Sequence, residues 1–236
     1  MSFLIAVHVN EGIVLASDRR STYSNTTVIE GKVIQKIGIH TTNSTDKTFI
    51  CPNGAGISTC GDAALLGAPI TGYIQEMIRT QISDDCDVEE MPNILIRYFD
   101  ELETVPDTNF IVAGYKTVNE KKVQKIYKVN LKTSKITEVD TTNQGATWEG
   151  ETLTLTRLVL NVAVVDVNGN CNPLPFEPIL FEYFTLQDAV DFARYAVETT
   201  IQTMRFKNVV ETVGGDVDIL VITPDETRWL QKSELK

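Results

Sequence analysis

The sequence predicts an α+β fold in which antiparallel sheets form layers flanked by helices. Three observations predict it. The chain opens with two apolar, β-branched runs separated by turn residues. Three later stretches carry apolar residues at helical spacing. The elements come in the order strands, two helices, strands, helix, strands, which favours packed layers over alternating βαβ units.

The run Phe3 to Val9 is continuously apolar apart from His8. This suits a strand buried on both faces, and its β-branched members favour strand over helix. Asn10-Glu11-Gly12 is turn chemistry and Ile13 to Ser17 is a second apolar run, so the two read as a hairpin. Further strands are expected at Thr27–Ile34, Lys36–Thr42 and Thr48–Cys51, with Gly54 and Gly56 marking turns. Asp62 is a candidate N-cap for a helix carrying Leu66, Ile70, Ile74, Ile78 and Ile82 on one face, with Pro69 early in it. Pro92 opens a second helix with Ile94, Leu95, Tyr98, Phe99 and Leu102 on its apolar side. Strands resume at Asn109–Tyr115, Val123–Asn130 and Lys135–Asp140. The Pro-containing stretch Asn168–Thr185 reads as a long irregular surface loop. A third helix runs from Leu186 to Met204 with Ala189, Val190, Ala193, Val197 and Ile201 on one face. Val217–Ile222, a Pro224-Asp225 turn and Thr227–Leu230 close the chain. No linker or repeat divides residues 1–236, so one domain is expected.

Composition excludes several classes of function. With 21 Lys and Arg against 32 Asp and Glu, the net charge of −11 makes nucleic acid an unfavourable partner. The densest basic group, Lys121, Lys122, Lys125 and Lys128, falls on an alternating segment and reads as one solvated strand face. The four cysteines form no CxxC pair and there are only two histidines, so neither a metal site nor any cofactor is expected. The apolar opening lacks a basic leader and is too short for a signal peptide or membrane span; no membrane association and a cytoplasmic location with reduced thiols are expected.

Geometry directs attention to the start of the chain. A hairpin turning about Asn10-Glu11 brings Ser2 opposite Arg19 and Phe3 opposite Asp18, about 5–8 Å apart for direct and diagonal neighbours. Cytosolic removal of Met1 requires a small second residue, and Ser2 qualifies. The product carries a hydroxyl and an α-amine on one residue. An amine with a reference pKa of about 7.7–8.0 can take the hydroxyl proton and return it. Such a nucleophile needs no histidine. Cys60 beside Gly61-Asp62 reads instead as a small buried core residue, and Gly214-Gly215 precedes a strand, which argues against a phosphate loop.

The run Gly12-Ile13-Val14-Leu15-Ala16-Ser17-Asp18-Arg19-Arg20-Ser21-Thr22 resembles the opening of proteasome β-type subunits, which are N-terminal-nucleophile (Ntn) hydrolases. Ile57-Ser58-Thr59-Cys60-Gly61-Asp62-Ala63-Ala64-Leu65-Leu66 resembles the strand that enters the family's first helix. Val213-Gly214-Gly215-Asp216-Val217-Asp218-Ile219-Leu220-Val221-Ile222-Thr223 resembles its final hairpin. The three blocks occur in the family's order. The resemblance implies a four-layer αββα sandwich of two antiparallel sheets between helix layers. It implies Ser2 as nucleophile, Asp18 as the buried acid, and Lys36 as the lysine near the nucleophile, with Lys32 as the alternative. It implies the backbone N–H of Ser58, where the family has glycine, as an oxyanion donor. The family's second acid and its paired serines have no match; Val210, Glu211 and Val213 lie in that neighbourhood, with Asn143-Gln144-Gly145 replacing a small-residue loop. The resemblance implies a peptidase acting on peptides or proteins within a homo-oligomeric ring. Two other readings are an inactive ring or scaffold subunit of the same fold, and a transpeptidase or ligase that passes the acyl group to an amine.

Overall fold

A computed structural model of the chain describes residues 2–29 and 32–234, with the backbone alone for 25–29 and 33–37. Phe3–Val9 (β1) and Gly12–Asp18 (β2) form the opening hairpin, with Leu4 opposite Ser17 and Val9 opposite Gly12. This is the register that the short Asn10-Glu11 turn dictates. Every residue of both strands is buried. Phe3, Ile5 and Val7 face one way and Leu4 and Ala6 the other, as the twofold period of a strand requires. Both faces are covered, so the run is continuously apolar.

Ser21–Ile29 (β3) and Lys32–Thr42 (β4) pair with each other as a separate two-stranded sheet. The expected division at Ile34–Lys36 is therefore displaced, because β-branched residues continue on both sides of Ile29. Thr48–Ile50 (β5) and Gly56–Gly61 (β6) follow. Ala64–Leu65 (β7) and Ala68–Pro69 (β8) form a small hairpin around Leu66 and Gly67, which have φ of 49° and 80°. The helix expected from Asp62 begins only after Pro69, as Ile70–Gln81 (α1). Leu66 fits the helical period but lies in the turn. Asp62 caps no helix; its Oδ2 accepts the Asp107 N–H at 2.8 Å.

Met91–Asp100 (α2) has Pro92 in its first turn. Thr108–Val118 (β9), Lys121–Asn130 (β10) and Lys135–Glu138 (β11) match the expected strands to within a few residues. Gly145–Gly150 (β12) and Leu153–Val159 (α3) are additions that the sequence reading lacked. Part of the stretch expected to be irregular is ordered as a hairpin, Ala163–Val165 (β13) with Cys171–Pro173 (β14). Its turn is held by the Asp166 carboxylate, which accepts the N–H groups of Asn168 and Asn170. Leu186–Met204 (α4) starts at a capping box of Thr185 and Asp188, and Val217–Ile222 (β15) and Thr227–Gln231 (β16) end the chain's regular structure.

Two five-stranded antiparallel sheets result, in the orders β12-β1-β2-β15-β16 and β11-β10-β9-β6-β5. Three apolar clusters pack them. Leu4, Ala6, Leu15 and Leu220 of the first sheet meet Ile111, Ala113 and Ile126 of the second. Ile74 and Met77 of α1 and Leu95 and Phe99 of α2 pack on Ile57, Phe110 and Val112. Leu155 of α3 and Ala193 and Val197 of α4 pack on Phe3, Ile5, Val14 and Ile219. No helix among the described residues is long and apolar enough to cross a membrane.

Candidate active site

Asp18 ends β2 and is fully buried. Its Oδ1 accepts the Phe3 N–H at 3.1 Å and the Lys47 ammonium at 2.8 Å. Its Oδ2 accepts the N–H groups of Arg20 at 3.1 Å and Gly214 at 2.9 Å. A carboxylate removed from water requires such partners. The arrangement ties the start of β1, the end of β2 and the loop before β15 to one side chain.

Lys47, just before β5, is 3% exposed. Its ammonium also donates to the Arg20 carbonyl. Burial pushes the Lys47 pKa below that of a free lysine, while the adjacent Asp18 carboxylate acts in the opposite direction. The two arginines that follow Asp18 brace the same region. Arg19 bonds Asp218 at 2.6 Å and Asp46 at 2.8 Å, and Arg20 bonds Glu211 at 2.5 Å and Asn43 at 2.8 Å.

Ser2 is 5% exposed and lies at a small cavity lined also by Lys47, Thr59, Cys60 and Gly61. Its carbonyl accepts the Glu151 N–H at 2.8 Å. The neighbouring Gly150 has φ of +88°, and a Cβ there would stand 1.8 Å from the Ser2 oxygen. Only glycine allows this approach. Gly150→Ala is therefore expected to displace Ser2 and to cost more than about 1 kcal/mol, measurable as a lower urea midpoint at unchanged slope. Gly61 ends β6 with φ of +129°, and a Cβ there would stand 2.2 Å from the Asp107 carbonyl.

The structure brings Ser2 and Asp18 together through Phe3, whose N–H binds the carboxylate. The lysine on Asp18 is Lys47. Lys36 lies in β4 opposite Asn25, and its side chain falls outside the described residues. Lys32 is exposed at the start of β4. Ser58 lies inside β6, fully buried between the sheets; its hydroxyl pairs with Thr48 at 2.8 Å, and Thr48 with Ser17 at 2.9 Å. Gly61, three residues on, lines the cavity together with Ser2, as do Thr59 and Cys60. The loop at the Ser2 carbonyl is Gly150-Glu151 rather than Asn143-Gln144-Gly145, and Glu151 accepts a hydrogen bond from the buried Thr212 hydroxyl at 3.1 Å. Cys60 also lines the cavity, but burial first, then Glu149, pushes its thiol up to about 12, which keeps it protonated. Among the described residues no three His, Cys, Asp or Glu side chains are grouped to hold a metal.

No family model and no curated protein matches the chain. Two crystal structures of Anbu from Hyphomicrobium sp. strain MC1 are similar to it. One, of a mutant, has a TM-score of 0.59 at 12% identity and covers 98% of this chain and 86% of that one. The other has a TM-score of 0.55 at 13% identity, with 98% and 88% covered. The sequence resemblance to proteasome β-type subunits is corrected accordingly: no family model supports that membership, and the structural likeness is to Anbu. At this identity the likeness shows the fold alone.

Proposed function

We propose that the chain is an N-terminal-nucleophile amide hydrolase that cleaves peptide bonds, with Ser2 as nucleophile once Met1 is removed. One observation carries this reading. Ser2 shares a cavity with a buried lysine, and that lysine is ion-paired to the carboxylate that also binds the N–H of the next residue. Buried cation–carboxylate pairs at a cleft mark candidate catalytic centres.

In this mechanism the Ser2 α-amine takes the Oγ proton as Oγ attacks the substrate carbonyl. The protonated amine then passes that proton to the departing amine, leaving an ester on Ser2, and water cleaves the ester by the reverse proton path. The Lys47 ammonium, fixed by Asp18, favours negative charge developing on Oγ. The oxyanion donor in this reading is the Gly61 N–H. The Thr59 N–H points to Lys47 and the Asp62 N–H to Asp107. N–H directions alternate along a strand, so the Gly61 N–H is directed away from β9, toward the side on which Lys47 lies.

The wider reading has four layers, α1 and α2, the two sheets, then α3 and α4, supported by the three apolar clusters. It includes a homo-oligomer in the cytoplasm, in which exposed apolar side chains such as Val167, Tyr183 and Phe206 are available for contacts between copies. The test is intact-mass analysis after incubation with peptidyl vinyl sulfones. Loss of Met1 and one adduct on Ser2, absent in Ser2→Ala, is the expected result; retained Met1 without an adduct defeats the mechanism.

A further inference from the structure

Two surface features outside the proposed catalytic site match each other. The first is the segment Pro173-Leu174-Pro175-Phe176-Glu177-Pro178-Ile179-Leu180, which leads from the end of β14 towards α4. Residues 174–180 form neither helix nor strand. Proline lacks the N–H that a sheet ladder needs, and it pushes the residue before it into an extended conformation. The segment is therefore stiff and extended, and it loses little conformational entropy when bound. Its apolar side chains lack cover from their own chain: Leu174 is 47% exposed, Phe176 40% and Leu180 51%. Glu177 is exposed in its centre, and no lysine or arginine stands between Arg157 and Arg194.

The second feature lies where the two sheets end. β5 and β16 are outer strands of different sheets, and with α1 they frame an open cleft of about 620 Å³. Ile50, Pro52, Ile78 and Trp229 give it apolar walls. Its charged residues are Asp46, Arg79 and Lys232. Asp46 is already engaged, by Arg19 at 2.8 Å and Lys232 at 3.7 Å. The Lys232 ammonium lies 4.3 Å from the centre of the Trp229 ring. Arg79 is exposed and has no ion-pair partner among the described residues. The cleft thus combines an indole, apolar walls and surplus positive charge. Aromatic-lined grooves receive extended proline-rich chain, and the surplus charge suits an acid within that chain. Within one copy the two features do not meet, because no residue of 173–180 lines the cleft.

We propose that the cleft receives the Pro173–Leu180 segment of a second copy of this chain, with Leu174 and Phe176 against Trp229 and Glu177 opposite Arg79. The inference rests on the homo-oligomer of the reading above and names the contact that builds it. Two different patches meet, so the contact runs head to tail from copy to copy. Sedimentation velocity of the full chain over a dilution series reads it. Phe176→Ser changes an exposed side chain outside regular structure, so the fold is retained. It is expected to weaken association at least about 30-fold, the loss of one anchoring side chain. Glu177→Arg and Arg79→Glu each set like charges against one another and are expected to weaken it at least about 10-fold. Both changes in one chain restore the attraction with its sense reversed, and most of the association is expected to return. Association unchanged in Phe176→Ser, or a double charge variant no better than either single one, overturns this contact and leaves the homo-oligomer standing. A wild-type chain that stays monomeric at every concentration overturns both. In such a monomer, a tryptophan emission shift on adding a synthetic acidic, proline-rich peptide assigns the cleft to a different protein and overturns the contact equally.

Discussion

Asp18→Asn is expected to lower the unfolding free energy by about 3–5 kcal/mol, the usual loss when one partner of a buried ion pair is removed. The carboxylate accepts three backbone N–H groups and the Lys47 ammonium. An asparagine offers one oxygen, and its NH₂ must face either two of those N–H donors or the ammonium. Donor then meets donor, and Lys47 is left charged in a site with 3% exposure. Urea denaturation checks the size of the effect. The double variant Asp18→Asn, Lys47→Met is expected to recover a large part of it, because the stranded cation is gone; independent, additive losses would contradict the coupling.

Lys47→Met is expected to slow Ser2 labelling and peptide hydrolysis by about 100- to 10,000-fold, the range for losing a positioned acid–base or charge-stabilising group. Asp18 keeps its three backbone donors in this variant, so the fold loses less than in Asp18→Asn. The pH profile adds a sign. The Lys47 pKa is lowered from 10.5, with burial as the largest cause. If the charged form is the one used, activity falls on the alkaline side at a pH below 10.5, earlier than for a solvated lysine. Methionine removes that limb. Rates and profile unchanged in Lys47→Met would remove Lys47 from the chemistry.

Much of the frame is readable from the residues. The register of β1 and β2 follows from a short polar turn between two apolar runs, which alone sets Asp18 against Phe3. The long helix α4 shows its period over many turns. Lys47 was missed because it follows Asn43-Ser44-Thr45-Asp46, a polar stretch with no periodicity, and because the β3–β4 hairpin lengthens the path from Asp18. A usable signal was present: a lone lysine directly before the buried Thr48-Phe49. The helix α3 has only seven residues, too few to display a face, and every residue of β12 is half-buried, which erases the alternation that marks a strand. Glu151 and Thr212 belong to loops and meet only in the folded chain, so nothing in their spacing announces them.

The seat of Asp18 also sets an order of events during synthesis. Gly214 supplies one of its backbone donors, and Val217 of β15 pairs directly with it across the sheet. A nascent chain shorter than this therefore carries Ser2 near an acid that is not yet locked in place. The ribosome must release the chain past Val217 before the proposed cutting centre can close.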